Sequence, residues 1–233
     1  MKTLGILCRK QHFENSERFF LNASFVDRFS ALPVLLHPIL PGPHLNIEAN
    51  QCDALLLPGG IDVSASFYHQ DADEFSDYYD GFLDIEEFLL IDAFMQKKKP
   101  ILGICRGMQM LQVYFHGSLE PHFDTISHQQ DHLHIVQLAK KTYLRQLYTK
   151  ELLVNSYHHQ RVTEIAPELI VDAFCKDGTI EAFHHPIYPV LGIQWHPELE
   201  KNDRILPYFL SIIYDKITPF NPVNDTPEQN KHT

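Results

Sequence analysis

The sequence predicts an α/β domain of three layers, with a mostly parallel central sheet and antiparallel additions in its C-terminal half. Three observations carry that expectation. In the first half, short apolar runs of strand type (TLGILC, DALLLP, PILGIC) alternate with segments of helical spacing, the pattern of helices covering a parallel sheet. In the second half, HLHIVQLA, LIVDAFC, TIEAFHH and VLGIQWH are separated by turn signals such as KDG, as antiparallel strands would be. The 233 residues contain no internal repeat and no linker and suffice for a substantial core, so residues 1–217 are read as one domain.

Each element follows from its local pattern. TLGILC is the first strand. ENSERFFLNASFVDRFSA has helical spacing, and LPVLLHPIL is an apolar, proline-bounded run. DALLLPGG reads as a buried strand ending in a Pro-Gly-Gly turn. GFLDIEEFLLIDAFMQKKK reads as an amphipathic helix with acids early and lysines in its last turn, the order the helix dipole favours. PILGIC is the next strand, and RGMQMLQVYFHG a helix with Gly117 expected as its C-cap. DRILPYFLSIIYDKI forms the last helix, with Pro207 in its first turns. From Thr218 to Thr233 the chain has almost no apolar content, so residues 218–233 are expected to be a mobile tail.

Composition excludes several classes. A formal charge of −11 argues against a nucleic-acid footprint. No apolar run is long enough to cross a bilayer, and MKTLGILCRK lacks a signal-peptide core, so no membrane partner is expected. Cys8, Cys52, Cys105 and Cys175 are scattered without a C-x-x-C pair, which fits the reducing cytoplasm. The fifteen histidines cluster in SHQQDHLHI and YHHQ, where His132 and His134 would share a strand face. Neighbours such as His158 and His159 point apart, however, and zinc needs three or four convergent ligands. No metal and no cofactor is expected.

Reactive chemistry concentrates at LGICRGMQ. In open α/β sheets ligands bind beyond the carboxyl ends of the strands. Cys105 falls at such an end, just before a helix. Gly103 and Gly107 flank it at the two positions that a sharp strand-to-helix bend crowds, giving G-x-C-x-G, the thiol counterpart of the G-x-S-x-G elbow. The positive end of the helix would favour thiolate. GIQWHPE supplies a base, His196, and an acceptor to orient it, Glu198, with Pro197 stiffening the pair. Residues i and i+2 of an extended segment project to the same side. Two backbone amides are expected to hold an oxyanion: that of Arg106 and one from the Gly59-Gly60 turn.

LLLPGG, GICRGMQ and QWHPE, in this order and at these intervals, resemble the class I glutamine amidotransferase superfamily. PGGIDVSASFY, CRGMQ, VNSYHHQ, DGTIEAF and GIQWHPE resemble its gamma-glutamyl-gamma-aminobutyrate hydrolase branch, from about Leu4 to the last helix. The resemblance implies a flavodoxin-like three-layer sheet and a Cys105-His196-Glu198 triad. It also implies a small-molecule gamma-glutamyl substrate bordered by Gln109, Asn155, Ser156, Tyr157, His158 and His159. The chain departs from the branch at Ala65 (where proline is usual), Leu83 (arginine), His116-Gly117 (Gly-Gly) and EPHFD (a Tyr-Gln-Asp run). The amine half of the substrate is expected to meet Ala65 and the stretch from His116 to Asp124.

The reading that follows is a hydrolase of gamma-glutamyl amides. The alternatives are a glutaminase subunit handing ammonia to a separate synthetase, and a non-catalytic binding protein on the same fold. A homodimer is left open.

Overall fold

The computed structural model describes residues 1–14, 16–71, 80–123, 128 and 132–216. The expected tail, 218–233, and Asp124 lie outside the described residues. In chain order the elements are β1 (Lys2–Leu7), β2 (Arg9–Phe13), β3 (Ser16–Phe20), α1 (Ala23–Ser30), β4 (Val34–Ile39), α2 (Leu45–Gln51), β5 (Ala54–Leu57), α3 (Gly81–Gln96), β6 (Ile101–Ile104), α4 (Arg106–Tyr114), β7 (His132–Leu138), α5 (Tyr143–Leu147), β8 (Glu151–Ser156), β9 (Ile170–Phe174), β10 (Ile180–His184), β11 (Val190–Ile193) and α6 (Ile205–Ile213). Single 3-10 turns occupy Ala65–Tyr68 and Pro197–Leu199.

Nine strands form one sheet in the order β4-β1-β5-β6-β11-β10-β9-β7-β8. The five from β4 to β11 are parallel, and β10, β9, β7 and β8 continue the sheet antiparallel. This is the mixed sheet expected from the sequence. ALLL, ILGI and VLGI of β5, β6 and β11 are buried throughout, because helices cover both faces and leave no polar side to alternate. Leu55, Leu57 and Ile101 pack with Leu90, Phe94 and Met108 on one face. Ala54, Leu56, Leu102 and Ile104 pack with Phe25, Phe29, Leu206 and Phe209 on the other. Among the described residues no helix is long and apolar enough to cross a membrane.

Three local expectations are corrected. The helix read into ENSERFFLNASFVDRFSA begins only at Ala23; Ser16–Phe20 instead pairs antiparallel with Arg9–Phe13. The core-facing helical repeat is Phe25 and Phe29 alone, while Phe19 and Phe20 are exposed on the hairpin. The lysines after FMQ lie beyond α3: Lys98 turns left-handed at φ 53, and Lys99 Nζ donates to the carbonyls of Ala49, Asn50 and Cys52 at the end of α2. Lys99 thus caps a neighbouring helix, not its own.

Helix α4 ends differently from the Gly117 expectation. The left-handed residue is His116 (φ 64), and its N–H bonds the Val113 carbonyl. Gly117 N–H bonds the Gln112 carbonyl at 2.8 Å, completing the two crossed bonds of a Schellman ending. Gly117 is required for space, since a Cβ there would overlap the Gln112 side chain. His116 is exposed and carries the conformational cost alone. His116→Gly should therefore raise stability by about 1 kcal/mol, and Gly117→Ala should lower it, in denaturant-midpoint measurements.

Candidate active site

Three motifs distant in sequence meet because three parallel strands lie side by side. Leu57 of β5 pairs with Gly103 of β6, and Ile104 of β6 pairs with Ile193 of β11. The carboxyl ends of these strands share one edge of the sheet. Pro58-Gly59-Gly60, Cys105 and His196 emerge there together, at the place open α/β sheets reserve for ligands.

Cys105 is the bend between β6 and α4, with φ 51 and ψ −110. Such a conformation costs on the order of 1–3 kcal/mol and persists only where its surroundings enforce it. Cys105 N–H donates to the Ile193 carbonyl at 2.7 Å, and its own carbonyl receives the first bond of α4 from Gln109 N–H. A Cβ on Gly103 would lie 2.5 Å from the Gly107 carbonyl carbon, and one on Gly107 would overlap the Leu57 carbonyl oxygen. Both flanking glycines are therefore required for the close approach of helix to strand.

His196 Nδ1 lies 2.7 Å from Glu198 Oε1. The backbone route differs from the expected extended segment, because Pro197 opens a 3-10 turn that folds Glu198 back onto the ring. Asn155 fixes the backbone of His196 twice: its Oδ1 accepts from His196 N–H at 2.8 Å and its Nδ2 donates to His196 O at 3.0 Å. Burial works to lower the basicity of the imidazole. The Cys105 sulfur, by charge and hydrogen bond, and then Glu198 outweigh that and push it up to about 10.

Beneath the bend lie four charges. Arg106 pairs with Asp84 and Glu87, and Arg9 with Glu87; all four side chains are within a few per cent of full burial. Burial lowers Arg9 to about 10 and Arg106 to about 9, and raises Asp84. Arg9 also grips the Pro-Gly-Gly turn, donating from Nε to Gly59 O at 2.8 Å and from Nη2 to Pro58 O. In a trans peptide the carbonyl and the next N–H point oppositely. Holding both carbonyls toward Arg9 therefore turns the Gly59 and Gly60 amides away from it. A Cβ on Gly59 would lie 2.9 Å from His196 Cε1 and 3.6 Å from Cys105 Cβ, so this turn directly walls the nucleophile.

The residues expected to border substrate divide into two groups. Gln109, Tyr157, His158 and His159 line an open cleft with Cys105, Gly60, Asp62 and Gln160. Asn155 and Ser156 do not: Asn155 holds His196, and the buried Ser156 hydroxyl donates to His128 O at 2.7 Å. Each side chain is taken up by a backbone partner, Asn155 by His196 and Ser156 by His128, and neither lines the cleft. His159 Nε2 meets Asp62 at 2.9 Å and its Nδ1 meets His122 Nδ1 at 3.0 Å. A second cavity is walled by His196 and Glu198 together with Arg9, Phe20, Leu21, Asn22 and Phe25.

The expected amine-binding stretch is only partly at the site. His122 is, through His159. His116 closes α4, roughly 15 Å of helix away from Cys105. Ala65 and Leu83 are buried in the core. Sequence reading missed Arg9, Asp62, Asp84, Glu87 and Gln160. For two of them a signal existed: Asp84 and Glu87 fall on the buried stripe of α3 with Leu83, Leu90, Ile91 and Phe94, where an unpaired acid is not tolerated.

Burial raises the thiols of Cys8, Cys52 (to about 11) and Cys175. None of the three faces the cleft that Cys105 lines. Limited iodoacetamide labelling with peptide mapping should modify Cys105 first; equal modification of all four would contradict the elbow assignment.

Known proteins resemble this chain in sequence and fold. Protein NtpR of Enterococcus hirae is 36% identical over 193 residues, 77% of this chain and 80% of NtpR. Gamma-glutamyl-gamma-aminobutyrate hydrolase of Escherichia coli is 30% identical, with 86% of this chain and 87% of that protein aligned. The fold of the glutaminase domain of Trypanosoma brucei CTPS superposes with a TM-score of 0.67 at 14% identity, over 94% of this chain and 96% of that one. The Peptidase C26 family model matches residues 4–198, so the chain belongs to the peptidase C26 family of class I glutamine amidotransferase-like, cysteine-dependent amide hydrolases.

Proposed function

We propose that the chain hydrolyses gamma-glutamyl amides, of which gamma-glutamyl-gamma-aminobutyrate and related gamma-glutamyl amines come first. The observation that carries this reading is Cys105, held in a strained bend beside the His196–Glu198 pair, at a wall between two cavities. The Cys105 thiolate attacks the side-chain carbonyl carbon. The developing oxyanion is met by the amides of Arg106 and the Gly59-Gly60 turn. Imidazolium at His196 gives its proton to the amine nitrogen as the C–N bond breaks, leaving a glutamyl thioester and free amine. Water, losing a proton to His196, then attacks the thioester and releases glutamate and the thiol.

His196, as the proton donor, supports one placement of the two halves of the substrate. The amine leaves on its side, towards the cavity that His196 lines with Phe20, Leu21 and Asn22. The glutamyl half then occupies the cleft with Tyr157, His159 and Gln109. Polar groups there reject substrates lacking the alpha-amino and alpha-carboxylate groups, because buried partners left unpaired are costly.

Glutamate release should be measured from a panel of gamma-glutamyl amines and glutamine, with the purified chain alone. Turnover of gamma-glutamyl amines without a partner protein supports the hydrolase; turnover of glutamine only after a synthetase is added would support an ammonia-supplying subunit instead. Cys105→Ala and His196→Ala should each lose about a thousandfold or more in turnover. Tyr157→Ala should weaken all gamma-glutamyl substrates alike, whereas Phe20→Ala and Asn22→Ala should reorder preference among amines. The reverse pattern would exchange the two halves of the site.

The raised His196 value gives a pH signature. Its proton is held until the pH rises through about 10, so kcat/KM should fall on that alkaline limb as His196 loses the proton it must donate. Glu198→Gln removes a charge that holds the proton and should move the limb to lower pH, while retaining more activity than His196→Ala.

A further inference from the structure

Both histidine clusters of the sequence, SHQQDHLHI and YHHQ, converge behind the cleft on a single carboxylate. Glu181 of β10 is fully buried. Its Oε1 lies 3.3 Å from His134 Nε2, 3.4 Å from His128 Nδ1, 3.6 Å from His158 Nε2 and 3.7 Å from Cys175 Sγ. The ligand atoms of His128, His134, Cys175 and Glu181 all lie within 4.8 Å of one another, and all four residues are buried. With zinc–nitrogen and zinc–oxygen bonds of about 2.0–2.1 Å and a zinc–sulfur bond of about 2.3 Å, the edges of a tetrahedron run to about 3.3–3.7 Å. The separations from Glu181 have that size.

Two further features suit a cation site. The outer nitrogen of His128, Nε2, faces Asp177 Oδ2 at 3.1 Å, and the outer nitrogen of His158, Nδ1, faces the Gln160 carbonyl at 3.0 Å. Both outer partners are acceptors, so each neutral ring places its proton outward and its lone pair inward. The two inward nitrogens lie only 3.2 Å apart. Two lone pairs at that distance repel unless positive charge lies near both, as a bound metal ion would supply; a single shared proton is the alternative, and metal titration distinguishes the two. An outward proton on a carboxylate or a backbone carbonyl is also the arrangement that orients metal-bound histidine. In addition, Glu181 Oε2 is buried with no hydrogen-bond partner among the described residues.

We infer that His128, His134, Cys175 and Glu181 bind one divalent transition-metal ion of the zinc type, with His158 as a fifth nitrogen at its edge. The mixed imidazole, thiolate and carboxylate set suits zinc, whereas magnesium and calcium take oxygen ligands. The ion would tie β7, β10 and the turn after β9 to His158, and so brace the wall of the cleft. It stands apart from the proposed hydrolysis, since Cys105 and His196 are not among its ligands.

The test uses the full chain carrying Cys105→Ala, so that the cleft thiol cannot bind the probe. Metal is stripped with a chelator and cobalt(II) is added. The expected result is one cobalt per chain, with a sulfur-to-cobalt charge-transfer band in the near ultraviolet and tetrahedral bands in the visible. Cys175→Ser on the same background should lose the charge-transfer band. Asp177→Ala changes a half-exposed outer partner and leaves the core intact, so it remains informative if Cys175→Ser fails to fold. It should weaken zinc binding about 10–100-fold. Zinc should also raise the melting temperature of the stripped chain. Absence of bound cobalt and of any melting shift, or a charge-transfer band that survives Cys175→Ser in a folded chain, would overturn the site.

Discussion

The approach of α4 to the end of β5 is the contact on which the rest of the site depends. Gly107 lies directly against the Leu57 carbonyl, at a distance that leaves no room for a Cβ, and Gly103 is pressed on Gly107 in turn. Only with that approach can Cys105 hold φ 51 and ψ −110 between them. The geometry of the bend then fixes everything at the strand edge. It lifts Cys105 over β6, brings the Pro-Gly-Gly turn of β5 against one side of it, and leaves His196 from β11 on the other. Parallel neighbours make this economical, because a single register places three strand ends at one level.

Close approach alone does not explain why the bend endures strain, and the charges beneath it do. Arg106 is the first residue of α4, and Asp84 and Glu87 of α3 hold its guanidinium from below. Glu87 also holds Arg9, and Arg9 holds the carbonyls of the turn beside Cys105. Two positive and two negative groups thus close a neutral, buried set. Removing one partner from such a set costs about 3–5 kcal/mol, since another charge is left unpaired. A well-packed apolar substitute could be as stable, but it could not aim the amides of Gly59 and Gly60. The set's contribution is orientation more than stability.

What was legible in the sequence is what short-range pattern encodes. The parallel strands show as unbroken apolar runs, the bend as two glycines about Cys105, and the acceptor for His196 as a carboxylate two residues on. The misread segments are those where a tertiary partner decides. Phe19 and Phe20 continue a helical spacing locally, yet pairing with Arg9 and Lys10 makes them strand. The three lysines suit the dipole of α3, yet open carbonyls at the end of α2 draw Lys99 away. Arg9 could not be placed at the site from sequence, since nothing within its own strand indicates that the turn fifty residues later folds over it.

The NSYHHQ segment shows how little of a polar motif need touch substrate. Asn155 anchors the backbone of His196, and Ser156 anchors the backbone of His128. His158 turns inward to Glu181, while His159 turns outward to Asp62. Gln160 accepts from Val63 N–H and donates to Val63 O, pinning the loop that follows the Pro-Gly-Gly turn. Tyr157, half-exposed between these anchors, lays its ring edge-on to His196 at 5.4 Å. Beyond β8, which ends at Ser156, the tethers of Ser156, His158 and Gln160 bracket Tyr157 and His159. The tethers fix the backbone and leave Tyr157 and His159 few positions to adopt. A polar segment with this density of anchors serves as a rigid wall, and a rigid wall is what lets hydrogen bonds discriminate between substrates.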